Sequence, residues 1–97
     1  MKIEEARSEI DAIDAQIVQL LNRRAKIAKC IGAVKARTGM PVFDRRREAE
    51  VMRSVNHVSE GVFGQAAIER IFNEILLESR RLQRVVPVQR RQPEQSL

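Results

Sequence analysis

The first forty residues contain no proline, and apolar side chains recur there at heptad spacing: Ile3, Ala6, Ile10, Ile13, Ile17, Leu20, Ile27, Ile31 and Val34. Of the ten seam positions from 3 to 34, nine are apolar and the tenth is Arg24. A stripe sustained over that length predicts one long amphipathic helix. Glu4 and Glu5 fall in its first turn, Lys35 and Arg37 in its last, each where the macrodipole favours that sign. Gly39 and Pro41 stop it. Gly32 lies inside it, at a cost of about 1 kcal/mol relative to alanine, which a close approach by another helix explains. At about 1.5 Å per residue the helix is roughly 54 Å long. A compact monomer of this chain length has a radius of gyration of only about 12–13 Å. The helix therefore protrudes from its own globule with its seam wet, and a partner subunit is the simple remedy.

The rest of the chain reads as two shorter helices. A loop runs from Gly39 to Phe43, Asp44 is an N-cap, and a second helix follows from Arg45 to about His57. Ser59, Glu60, Gly61 and Gly64 form a turn. A third helix extends from about Gln65 to Val85, with Ile68, Ile71, Phe72, Ile75, Leu76, Leu82 and Val86 on its apolar stripe, and Pro87 ends it. The expected fold is all-α, three helices per chain, with one ordered domain over 1–86. Residues 87–97 are polar and basic and are expected to be a disordered tail.

Composition agrees and narrows the function classes. Three Phe, no Tyr and no Trp disfavour a sheet protein built on aromatics. The single cysteine, Cys30, excludes an intrachain disulfide framework and a multi-cysteine zinc site; it reads as a small residue on a helix flank. No basic cluster followed by an apolar run opens the chain, and no stretch approaches the roughly 18 apolar residues of a membrane span. A soluble, cytoplasmic protein is expected. The net charge of +5 suits either nucleic acid or a small anionic ligand; where the cations sit decides between them.

Several polar residues stand in apolar places. Arg24 is on the seam, and Lys35, eleven residues on, lies about 20° from it around the helix and about 16 Å along. Burying both is costly unless an anion meets them. Taken singly, Arg24 also reads as a register-fixing seam residue and Lys35 as a helix-terminal cation. In the third helix Ser79 and Gln83, spaced i, i+4, interrupt the stripe; a core hydrogen bond between helices is the plainer reading. In the second, Asp44, Arg47 and Glu48 are spaced i, i+3, i+4, which by itself reads as a cap followed by solvated charges. Arg7 lies about 100° around and roughly 26 Å along the first helix from Arg24. It cannot readily join Arg24 and Lys35 around one small ligand in the same chain, but an antiparallel two-fold partner could bring it there.

Taken together these residues resemble the all-helical class of chorismate mutases, including the mutase domains fused to prephenate dehydratase or dehydrogenase. The likeness runs from about Ile3 to Gln83. It is carried by RSEIDAIDAQIVQLLNRR, by Gly32 and Lys35 in IGAVKAR, by Pro41-Val42, by Asp44, Arg47 and Glu48 in DRRREAE, and by Ser79 and Gln83 in ESRRLQ. The resemblance implies an intertwined homodimer with shared active sites, working without cofactor or metal on chorismate, in aromatic amino acid biosynthesis. It implies that Arg24 binds one substrate carboxylate and Arg7 of the partner subunit the other. Lys35 and Gln83 are then the donors to the ether oxygen, with Arg24 completing the catalytic set. Glu48, helped by the Asp44 backbone, accepts from the ring hydroxyl, and Arg47 and Ser79 complete the polar wall.

This chemistry asks for orientation and charge rather than a nucleophile or base. That agrees with a single unremarkable histidine, His57, and no recognisable triad or metal-ligand cluster. Three alternatives compete. An isochorismate pyruvate lyase shares the Arg and Lys contacts, but the complete Asp44, Arg47, Glu48 set favours the mutase. A basic helical nucleic-acid-binding dimer is invited by Arg80, Arg81, Arg84, Arg90 and Arg91, yet there is no recognition motif or aromatic platform. A structural coiled coil explains the heptads but not Ser79, Gln83 and Lys35 together. Neither nucleic acid nor membrane is expected as a partner.

Overall fold

The computed structural model describes residues 1–59 and 61–85. Val86 and the expected tail over 87–97 lie outside the described residues. The described chain is all-helical: α1 spans Ile3–Thr38, α2 Arg45–Val58 and α3 Gln65–Arg84.

Each boundary has a local cause. The Lys2 backbone N–H donates to the Glu5 carboxylate at 2.8 Å, closing the first turn of α1. At the other end Gly39 takes φ +74°, the left-handed conformation that suits glycine, and the backbone N–H groups of Gly39 and Met40 both return to the Lys35 carbonyl. Asp44 caps α2, its carboxylate accepting from the Arg47 backbone N–H at 3.0 Å. The second and third helices end within a residue of where the pattern placed them, at Val58 and Arg84.

Packing is sparse. α3 lies against both α1 and α2, which make no close backbone approach to each other. Among the described residues the buried apolar side chains are Ala28 and Leu76 alone. The contact between α1 and α3 runs over Ala28 and Gly32, one residue beside the heptad seam. A β-carbon on Gly32 would stand 2.3 Å from the Gln83 carbonyl oxygen and 2.6 Å from its Cα. The close approach inferred from that glycine is therefore present, and it brings the last turn of α3 backbone-to-backbone against α1. The seam itself faces outward: Ile10, Ile13, Ile17, Leu20 and Ile27 are all about half exposed or more. The molecule measures 58 × 33 × 16 Å, with a radius of gyration of 17.7 Å, well above the 12–13 Å or so of a compact chain this long. No helix among the described residues is long and apolar enough to cross a membrane.

Candidate active site

Where α1, α3 and the start of α2 converge, a cavity of about 290 Å³ opens. Its floor is apolar, from Ile27, Ala28, Ile31, Val51 and Leu76. Polar groups enter from three sides. α1 supplies Arg24 and Lys35, α2 supplies Arg47 and Glu48 after the capping Asp44, and α3 supplies Ser79 and Gln83. All the site residues expected within one chain thus line a single cavity. Arg7 does not: it is exposed, on the first two turns of α1, away from the cavity.

The contacts within the cavity leave particular groups free. The Lys35 ammonium donates at 2.8 Å to the Gln83 side-chain oxygen and at 2.8 Å to the Val42 carbonyl. An ammonium has three protons, so one remains. With its oxygen turned to Lys35, the Gln83 amide keeps its N–H donors free of any partner among the described residues. Two adjacent donors can then meet one acceptor on a ligand. Arg24 donates to the Ser79 hydroxyl, which donates onward to the Ile75 carbonyl at 2.9 Å. That chain fixes one edge of the guanidinium and leaves the others to a ligand. Partial burial, and after it the nearby Arg47 charge, lower the Arg24 pKa from its ordinary value. Burial and the like charge thus disfavour the charged guanidinium, which an anion beside it would stabilise. Arg47 is largely exposed and only loosely paired, with Glu50 at 3.4 Å.

Glu48 is held differently. Arg80, on α3, places one terminal guanidinium nitrogen 2.6 Å from each of its carboxylate oxygens. Arg80 in turn sits 5.2 Å from the centre of the Phe43 ring. Three cations, Arg24, Lys35 and Arg47, and two carboxylates, Asp44 and Glu48, line the cavity, and Arg80 behind it pairs with Glu48, so the cavity is net positive. Sequence reasoning missed Arg80 and the Val42 carbonyl. Nothing along α3 separates Arg80 from Arg81, which pairs with Glu78 in its own helix. A backbone acceptor leaves no trace in a residue pattern.

A second groove of about 350 Å³ lies across the Arg24–Ser79 bond. Its surface is mainly apolar, from Leu21, Ala25, Ile75 and Leu82, with Asn22, Glu74 and Glu78 also among its lining residues.

A family model described as chorismate mutase type II matches residues 6–84. The bifunctional chorismate mutase/prephenate dehydratase of Aquifex aeolicus is 36% identical over 91 residues, covering 90% of this chain and 25% of that protein. Among solved structures, the chorismate mutase (Form II) of Thermus thermophilus superposes with a TM-score of 0.84 at 28% identity, covering 88% of this chain and 97% of that one. The chorismate mutase from Helicobacter pylori in complex with prephenate does so with a TM-score of 0.76 at 27% identity, covering 84% and 88%. The chain spans about a quarter of the length of the bifunctional relatives it matches.

Proposed function

The chain belongs to the chorismate mutase type II family, and from that premise we propose that it rearranges chorismate to prephenate by a sigmatropic (Claisen) shift. The observation that carries this reading is the pairing of Lys35 with Gln83 in the same net positive cavity that Arg24 lines. Chorismate is a dianion with an enolpyruvyl ether and a ring hydroxyl. As its ether C–O bond breaks and the new C–C bond forms, electrons move in a ring within the substrate and no proton is exchanged. The enzyme has two tasks. It holds the compact conformer in which the reacting carbons touch, and it stabilises the negative charge that grows on the ether oxygen.

Arg24 serves the first task by binding a carboxylate with the guanidinium edge that Ser79 leaves open. Arg47 and Ser79 wall the cavity, and Glu48 accepts from the ring hydroxyl beside the Asp44 backbone. Lys35 and the Gln83 amide serve the second. Their donors are in place before the charge develops, so they favour the transition state over the ground state.

The second carboxylate is bound by Arg7 of the partner subunit in an intertwined homodimer. Three features support a second copy as the cover for α1: the exposed heptad seam, the two buried apolar residues of the described chain, and its extended shape. So little apolar burial is too small to offset the conformational entropy of folding. An antiparallel partner running along the seam carries its own Arg7 toward the Arg24 end of this helix. The mutase domain spans 1–86, and the enzyme works in the cytoplasm, which suits an exposed thiol at Cys30.

The test is to follow chorismate loss with purified protein and separate the products. Prephenate from chorismate is the expected result. No prephenate, with salicylate and pyruvate formed from isochorismate instead, would move the assignment to a lyase on the same scaffold.

A further inference from the structure

Glu48 is expected to accept from the substrate hydroxyl, but a lone glutamate on an exposed helix start has two obvious distractions. Arg47 precedes it and Arg24 faces it across the cavity, and both carry the charge a carboxylate seeks. A Glu48 folded onto either would neutralise a cation meant for the substrate. What prevents this lies behind the cavity wall. One Arg80 nitrogen stands 2.6 Å from both Glu48 oxygens, and both side chains are about three-quarters shielded from solvent, at 24% and 22% exposure. The Phe43 ring lies against the guanidinium at 5.2 Å, so the cation is backed by an aromatic face. Three segments contribute: the loop before α2, the first turn of α2 and the end of α3. The other arginine–glutamate pairs behave differently. Arg46–Glu50 and Arg81–Glu78 lie within single helices and are mostly exposed, and such pairs contribute little.

From this geometry we propose that Arg80, held by Phe43, is a positioning residue for the reaction. It draws the Glu48 carboxylate to the back wall and fixes its direction, so that Glu48 neutralises neither Arg24 nor Arg47. Arg80 does not itself line the cavity. A carboxylate has about four acceptor sites. Arg80 occupies those facing α3, and the remaining ones point to the cavity where the hydroxyl binds. The role rests on the mutase reading above.

The experiment measures kcat/KM for chorismate with wild type, Arg80→Met, Arg80→Lys, Glu48→Gln and the Arg80→Met/Glu48→Gln double variant, with dimer content and thermal melting checked for each. Arg80→Met is expected to lose about tenfold or more, and in the double variant to add little to the loss from Glu48→Gln, because coupled residues are not additive. Arg80→Lys should recover only part, since a point charge on a flexible stem cannot match the planar contact with both ring and carboxylate. Arg80→Met within about twofold of wild type would overturn the proposal. So would losses that multiply in the double variant, because an arginine that merely holds the fold acts whether or not Glu48 is ionised. If the wild type makes no prephenate, the mutase reading fails and the role with it; an active wild type beside an unaffected Arg80→Met removes the role alone.

Discussion

Between Ile3 and Arg23 no residue of α1 is buried, whereas between Arg24 and Thr38 Ala28 and Gly32 are buried and Arg24 and Lys35 are half-buried. The same heptad runs through both halves. The second half meets α3 through small residues beside the seam, and that contact builds the cavity. The first half borders α3 only at its end, where Leu21 and Asn22 line the second groove, and it carries Arg7. One helix thus lines a cavity with its second half and presents an exposed apolar strip with an arginine on its first. The difference teaches that apolar periodicity reports only that a face will be covered, and that it is silent on which chain covers it.

The comparison breaks most completely at the seam of the first half. Ile13→Asp with Ile17→Asp places charges where a second copy should pack. The expected result is loss of the dimer, of cooperative melting and of all turnover, checked by sedimentation and circular dichroism. Retention of a well-folded monomer would separate the first half from folding altogether. In the second half, Lys35→Ala should leave the dimer intact and lower kcat by about 100- to 1000-fold, the range for removing one preorganised donor. Near-normal turnover there would remove the electrostatic role.

A smaller effect is expected where the two helices touch. In Gly32→Ala the new methyl meets Gln83 backbone, which cannot swing aside as a side chain can. Overpacking of this kind costs roughly 1–3 kcal/mol, and α3 should shift enough to turn Gln83 from the cavity. A lower melting temperature with reduced kcat/KM is expected, and an unchanged melt would mean that α3 is free to move. The smallest effect concerns pH. The Gln83 amide stays neutral and keeps its donors, so turnover should vary little between about pH 6 and 8, whereas a carboxyl group at that position would have to be protonated to donate. A steep fall across that interval would show that another, titrating group reaches the reacting oxygen.

Much of this arrangement was legible in the sequence because helical spacing maps directly onto faces. Arg24 and Lys35 were placed together by rise and rotation alone, Ser79 and Gln83 by their break in the α3 stripe, and Asp44 by its position before a helix. Gly32 pointed to a close helix approach because its cost in a helix needs a cause. What stayed hidden is non-local. The seam predicts burial, yet within the chain the burial falls on Ala28 and Gly32, because backbone proximity selects small residues rather than apolar ones. Arg80 was invisible because its partner lies thirty-two residues away on another helix, and an arginine on a polar flank looks the same whether it is paired or solvated. The Val42 carbonyl that orients Lys35 belongs to the backbone and has no residue signature.

The claim on which the rest depends is that each site draws Arg24 from one chain and Arg7 from the other. Mixing Arg7→Ala with Arg24→Ala, after unfolding and refolding the two together, tests it most directly. Each variant alone should be nearly inactive. In a mixed dimer one site receives both native arginines and the other neither, so with random pairing the mixture should recover about a quarter of the wild-type activity. A mixture that forms mixed dimers yet stays as inactive as either variant alone would contradict the shared site.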